Sequence, residues 1–230
     1  FLLLSLRFFL SGTIAIGIAL IIGQSFNFSK LEWYAIFIFG ICQNTIYLGF
    51  NFVAMQWIDA SLAATIASLL PLVVTIFLWL VFKEKLNILG VVGLFFGLSG
   101  LILIINSSIP TKLNIIGIVF CLLGVLALAT ATIIVRNSTE KNILMMIGLQ
   151  MLVGSITLFP LSLAFEVWEI NLTTRLVISF LYTTIFPGLI ATLIWFKLLF
   201  FIGPIKAAAF HFFNPFFGVL IANLILSEQL

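Results

Sequence analysis

Polar interruptions are so sparse in this chain that they cut it into apolar runs of about membrane length, and that spacing restricts the fold more than any other feature. A hydrocarbon core of about 30 Å takes roughly 20 helical residues to cross. Runs of that order lie at approximately 1–22, 31–57, 61–82, 88–105, 114–135, 142–165, 174–201 and 207–226. The joints between them carry breaker chemistry: Gln24 to Lys30, Ile58 to Ala60, Lys83 to Asn87, Asn106 to Lys112, Asn137 to Lys141, Glu166 to Thr173 and the Gly203-Pro204 pair. None of them has room for a soluble domain. Inside the runs there is no two-residue alternation of the kind a membrane β-barrel strand needs; IFLWLVF, Ile76 to Phe82, is apolar on every side. The expected fold is an all-α membrane protein with eight transmembrane helices.

Composition excludes the soluble alternative. Charged residues make up 7% of the 230 residues and hydrophobic ones 63%, against about 25% charged in an ordinary soluble domain. The mean hydropathy is +1.36. A net charge of +3 does not point to nucleic acid, because the ten Lys and Arg are scattered singly. They act instead as topology signals. Lys30, Lys83, Lys85, Arg136, Lys141 and Lys206 fall in alternate joints, against Lys112 and Arg175 in the others. An excess of Lys and Arg in short loops marks the cytoplasmic side, so the first run goes from outside to inside. Cys42 and Cys121 sit in mid-run and read as small buried hydrophobes, not as a disulfide pair.

An internal repeat organises the runs. Ile58 to Leu86, IDASLAATIASLLPLVVTIFLWLVFKEKL, aligns without gaps to Ile202 to Leu230, IGPIKAAAFHFFNPFFGVLIANLILSEQL. The alignment matches Ala63 with Ala207, Ala64 with Ala208, Pro71 with Pro215 and Glu84 with Glu228. A weaker echo joins LRFFLSG (Leu6 to Gly12) to LQMLVGS (Leu149 to Ser155). The repeat unit is then five helices, and an odd number inverts the second copy in the membrane, which is a transporter arrangement. Residues 1–110 form a first repeat lacking its first helix and residues 111–230 a second lacking its last. The chain begins at Phe1 with no Met and reads as a piece of a longer one with ten helices.

With these motifs the chain resembles the drug/metabolite transporter superfamily, specifically the EamA-type exporters and permeases. The resemblance is carried by the Arg of LRFFLSG, by A-S-L-A-A-x-x-x-x-L-x-P (Ala60 to Pro71), by E-K-L-N after it, and by K-A-A-A-F-x-F-F-x-P closing at S-E-Q-L in the second copy. It implies movement of small metabolites, often amino acids, across a bacterial inner membrane. The implied partners are a small-molecule substrate and the lipid bilayer, with homodimer formation open, no nucleic acid, no metal and no cofactor.

Polar residues inside the runs are the candidate site. Asn44, Tyr47 and Asn51, with Gln43 beside them, are three or four residues apart, a spacing that puts the first three on one helix face. They read either as interhelical glue or as a cavity wall. His211 and Asn214 precede Pro215, which frees the carbonyl near His211; Pro71, flanked by Ser68 and Thr75, is the matching helix break. Trp195, a turn after Thr192, could stack on a substrate or simply pack, and Lys197 reads as snorkelling to the interface. Glu84 and Glu228 read as helix-end devices favouring the next helix N-terminus. Gly90, Gly93, Gly97 and Gly100 read as a close-packing seam. An intramembrane enzyme fails on inventory, since there is one His, no HExxH, no GxSxG and no paired intramembrane carboxylate. The class that competes with transport is a structural or assembly subunit.

Overall fold

The computed structural model describes residues 1–84, 88–107, 114–136, 138, 140–168 and 172–226. Every regular element among them is helical: α1 (Leu2–Ile21), α2 (Lys30–Ala54), α3 (Ala60–Phe82), α4 (Ile88–Ser107), α5 (Ile115–Val135), α6 (Ile143–Phe165), α7 (Thr174–Ile202) and α8 (204–226). Six of these, α1, α2, α3, α5, α6 and α7, are long and apolar enough to cross a membrane. The expected boundaries shift where turn chemistry intervenes. The second helix stops at Ala54, not 57, because the N–H groups of Met55 to Ile58 turn back onto Asn51, Val53 and Ala54 carbonyls. The eighth starts at Pro204, whose fixed φ suits a first helical position, after Gly203 has made the reversal at φ +82°. Lys85, Lys112, Glu169, Ser227, Glu228 and Gln229 lie outside the described residues.

α1 and α6 form an antiparallel seam. The Ser5 hydroxyl donates to the Ser155 carbonyl at 2.9 Å, and about two turns further on Gly12 faces Gly148 so closely that a Cβ on Gly12 would sit 2.9 Å from the Gly148 carbonyl oxygen. Such approach of backbones is what small residues permit where lipid offers no hydrophobic drive between helices. One apolar core around Phe8, Ile36, Phe39, Ile147, Met151 and Phe196 ties α1, α2, α6 and α7 together. A second, around Leu70, Val74, Leu78, Val125 and Leu128, ties α3 to α5. At the side assigned to the cytoplasm Glu84 and Arg136 form an ion pair, with the guanidinium 4.2 Å from the centre of the Phe82 ring. Among the described residues, the glycine seam expected on α4 finds one close neighbour: Gly97 meets Phe212, while a Cβ on Gly90, Gly93 or Gly100 would have none of them within 4 Å.

The irregularities of the helices recur. Ser29 caps α2 by accepting from the Glu32 N–H, and Thr173 caps α7 by accepting from the Leu176 N–H. α2 opens into a wide π-helical segment at Gly40–Tyr47 and α7 does so at Thr184–Ile190. α3 breaks between Ala60–Ala67 and Leu70–Phe82, and α8 breaks between Pro204–Ala209 and Asn214–Leu226 through a 3-10 turn. The register that matches Ile58 with Ile202 brings all of these features opposite one another. Packing follows the same rule. Ala60–Ala67 lies on Asn214–Leu226 and Pro204–Ala209 lies on Leu70–Phe82, while the wide segment of α2 rests on α6 and that of α7 on α1.

Candidate functional site

The wide segments of α2 and α7 and the 3-10 turn of α8 border one cavity of about 240 Å³. π-helical turns are rare and tend to occur at functional places. α2 supplies Gln43 and Tyr47, α5 supplies Leu128, α7 supplies Pro187, Ala191, Thr192 and Trp195, and α8 supplies His211. Pro187 has no N–H to donate and lies inside the wide segment of α7. His211 lies in the 3-10 turn that breaks α8, four residues before Pro215.

The polar groups around this cavity are partly satisfied. The Asn214 amide nitrogen lies 2.8 Å from His211 Nδ1. This contact fixes the orientation of the imidazole beside the Asn214 amide. The Trp195 ring stands edge-on to the His211 ring, centroids 5.1 Å apart at 87°. Trp195 Nε1 and Gln43 Oε1 are buried with no hydrogen-bond partner. An unpaired buried donor or acceptor costs about 1–3 kcal/mol. Both belong to residues that line the cavity, but the two atoms themselves are covered by neighbouring groups.

The structure gathers Tyr47, Trp195 and His211 on this wall and distributes the other candidates behind it or elsewhere. Asn214 backs His211. Asn44 turns away from Tyr47 into the α2–α6 contact, where its Nδ2 donates to the Gln150 carbonyl at 2.9 Å and to Gln150 Oε1 at 2.5 Å. Asn51 donates to the Tyr47 carbonyl at 2.7 Å and accepts from Cys121 Sγ at 3.5 Å. Ser68 donates to the Thr65 carbonyl and Thr75 to the Pro71 carbonyl, so both hydroxyls serve the break in α3. Lys197 is exposed on α7. Wall residues that sequence reasoning did not select are Gln43, Leu128, Pro187, Ala191 and Thr192. Of these Gln43 carried a signal, as an amide in an apolar run. Arg7 also went unselected for the site; it is a half-buried cation on α1 with an unpartnered Nε, 5.1 Å from the Phe8 ring centre, and is not on the cavity wall.

The model of the EamA-like transporter family matches residues 1–106 and 115–230. The chain is 22% identical over 203 residues to the uncharacterized transporter YvbV of Bacillus subtilis, covering 87% of this chain and 67% of that protein. It is 26% identical over 239 residues to a chloroplastic WAT1-related protein of Arabidopsis thaliana, covering 99% of this chain but 57% of that one. An uncharacterized transporter of Archaeoglobus fulgidus is 26% identical over 228 residues, covering 98% and 80%. The fold superposes on a solved crystal structure with a TM-score of 0.76 at 17% identity, over 100% of this chain and 79% of that one.

Proposed function

The chain belongs to the EamA-like transporter family, and from that premise we propose that it moves small metabolites, amino acids or related compounds among the candidates, across the bacterial inner membrane by alternating access. The observation that carries the reading is the cavity between α2, α5, α7 and α8, which the polar or amphipathic side chains of Gln43, Tyr47, Thr192, Trp195 and His211 line beside the wide segments and the 3-10 turn. A membrane subunit with only a structural role has no need of an open cavity lined by such side chains between its helices. Intramembrane polar groups that are not spent on packing mark a substrate path.

Alternating access needs two halves that can exchange conformations, and the reading includes a five-plus-five inverted repeat in a ten-helix protein, with residues 1–110 in one half and 111–230 in the other. The shared register of N-caps, wide segments and breaks supports it. So does the α1–α6 seam, where Ser5 meets Ser155 and Gly12 meets Gly148. In the LRFFLSG to LQMLVGS alignment Ser5 corresponds to Gly148 and Gly12 to Ser155, so each contact is the other's counterpart. A further groove of about 900 Å³ along α1 and α7, lined by Leu3, Leu6, Leu176 and Phe180, is where a further helix would lie on α7 as α5 lies on α2. A homodimer completes the expected assembly, and crosslinking in native membranes checks it.

Flux in proteoliposomes tests the function. Vesicles containing the purified protein should take up or exchange at least one class of labelled metabolite faster than protein-free vesicles, and Trp195→Ala should abolish the excess. Equal flux with and without protein, for amino acids, sugars, nucleosides and organic ions alike, would leave the structural-subunit reading in its place.

A further inference from the structure

We infer that the resting protein is closed on its outer side and open on its inner side, and that one pair of counterpart residues, Gly218 and Val74, sets this preference. The inference rests on the transport reading, within which it names the closing contact and the side from which the resting cavity is reached.

α3 and α8 meet on both sides of their breaks. At one end Ala60–Ala67 lies on Asn214–Leu226, and at the other Pro204–Ala209 lies on Leu70–Phe82. The register that matches Ile58 with Ile202 makes these two contacts counterparts, with Ala64 corresponding to Ala208 and Val74 to Gly218. His211, on the cavity wall, lies between Ala208 and Gly218 in the chain, so α8 passes from one contact to the other by way of the cavity. The excess of Lys and Arg in alternate joints predicts that the Ala64 end faces outward and the Ala208 end the cytoplasm.

The two contacts are unequal because their residues are. At the outer end glycine brings the backbones together: a Cβ on Gly218 would lie 2.5 Å from Ala64 Cβ, nearer than two such carbons can approach. Small residues permit this kind of closure between membrane helices. At the inner end the β-branched Val74 stands in the place of Gly218, fully buried with Ala208 in one apolar cluster. Its two methyl groups fill space that Gly218 leaves to backbone, so an equally close approach is not available there. One turn beyond, a cavity of about 570 Å³ is lined by Thr75 and Leu78 on α3 and by Pro204, Ile205 and Lys206 on α8. Alternating access exchanges the roles of counterpart contacts. Parting Ala64 from Gly218 gives up the closer contact and gains one that Val74 holds apart, which favours the outer-closed state.

Ser61 and Ile205 are counterparts at the two ends, and both are half-buried. In the full chain without other cysteines, a membrane-impermeant thiol reagent is applied to Ile205→Cys in inside-out vesicles and to Ser61→Cys in intact cells, each rate being divided by that of the same cysteine in denatured protein. Ile205→Cys should react about tenfold or more faster than Ser61→Cys. Exchanging the pair, Gly218→Val with Val74→Gly, should slow Ile205→Cys by about fivefold or more and speed Ser61→Cys, because overpacking then falls on the outer contact. If the exchanged protein fails to insert, Gly218→Ala should shift both rates in the same direction by less, and the ranking in the unaltered protein still decides. Faster reaction at Ser61→Cys, or rates indifferent to these substitutions, overturns the inference. Reaction of Ile205→Cys from outside intact cells overturns it as well, since the contacts then lie on the wrong faces. Labelling reports the conformation whether or not a solute moves, so absence of flux above protein-free vesicles for every metabolite overturns the transport reading alone.

Discussion

Asn44 and Tyr47 are one turn apart on α2 and reach different parts of the molecule. Regular helical spacing would set them on one face, but both lie in the π-helical segment, where a turn holds more residues and each residue rotates less about the axis. Asn44 therefore points into α6 and bonds the Gln150 carbonyl and amide, while Tyr47 reaches the cavity. Replacing Asn44 by Leu should lower stability by about 0.6–2 kcal/mol, the range of interhelical hydrogen bonds in membranes. The double variant Asn44→Leu/Gln150→Leu should lose less than the two single losses combined, because no orphaned acceptor is left. Unfolding in mixed micelles measures both. Asn214 contrasts with it, since its partner is a cavity residue: Asn214→Leu should cut flux severalfold per folded molecule, with membrane insertion unchanged, because the imidazole loses the contact that fixes its orientation. Insertion failing together with flux would make Asn214 a folding residue instead.

At the scale of the element, helix positions were legible because bilayer thickness dictates them, and the expected runs agree with α1 to α8 to within a few residues. Their internal irregularity was legible only where proline announced it, at Pro71 and Pro215. The wide segment of α2 has no such signal. It depends on packing, since Gly40 approaches α6 so closely that a Cβ there would lie 2.6 Å from the Gln150 carbonyl oxygen and 2.7 Å from Val153 Cβ. Rotation within that segment also decides which amide faces the cavity, so Gln43 could be named from the sequence but not placed. The same contact logic separates functional glycines from idle ones. On the α1–α6 seam Gly148→Ala would put a methyl 2.6 Å from Ile16 Cγ1 and 2.9 Å from the Gly12 carbonyl oxygen. It should destabilise by about 1–3 kcal/mol, the usual cost of overpacking. Gly17, on the same helix as Gly12, has nothing within 4 Å. Gly17→Ala should be neutral or stabilising by up to about 1 kcal/mol. Thermal unfolding of the two variants in one detergent compares them, and equal losses would mean that the seam gives way to a side chain.

At the scale of the whole molecule, inversion makes a claim that composition and helix count do not, because it fixes opposite sides for corresponding loops. Ser29 and Thr173 are corresponding N-caps, so the loop before α2 and the loop before α7 are counterparts. Between those two starting points lie α2 to α6, and on the inverted-repeat reading all five cross the membrane, α4 together with the four that are long and apolar enough by themselves. That reading expects the two loops on opposite faces of the membrane. Local contacts agree with this. The Gln24 carbonyl oxygen of the side chain accepts from the Met145 N–H, and the Asn142 side chain accepts from the Ser25 N–H, which ties the first loop to the start of α6. The second loop starts at the opposite end of α6, where the Trp168 indole donates to Ser162. The excess of Lys and Arg in these joints predicts that the first loop, with Lys30, and the start of α6, with Lys141, face the cytoplasm. Asn27 and Leu172 are both exposed and suit a labelling pair. In a background with Cys42 and Cys121 replaced, Asn27→Cys should resist a membrane-impermeant thiol reagent applied outside intact cells and react once the cells are opened. Leu172→Cys should react at once. Labelling of both from the same side would show that α2 to α6 do not make five crossings, and the inverted repeat would lose its basis along with the exchange of halves that alternating access requires.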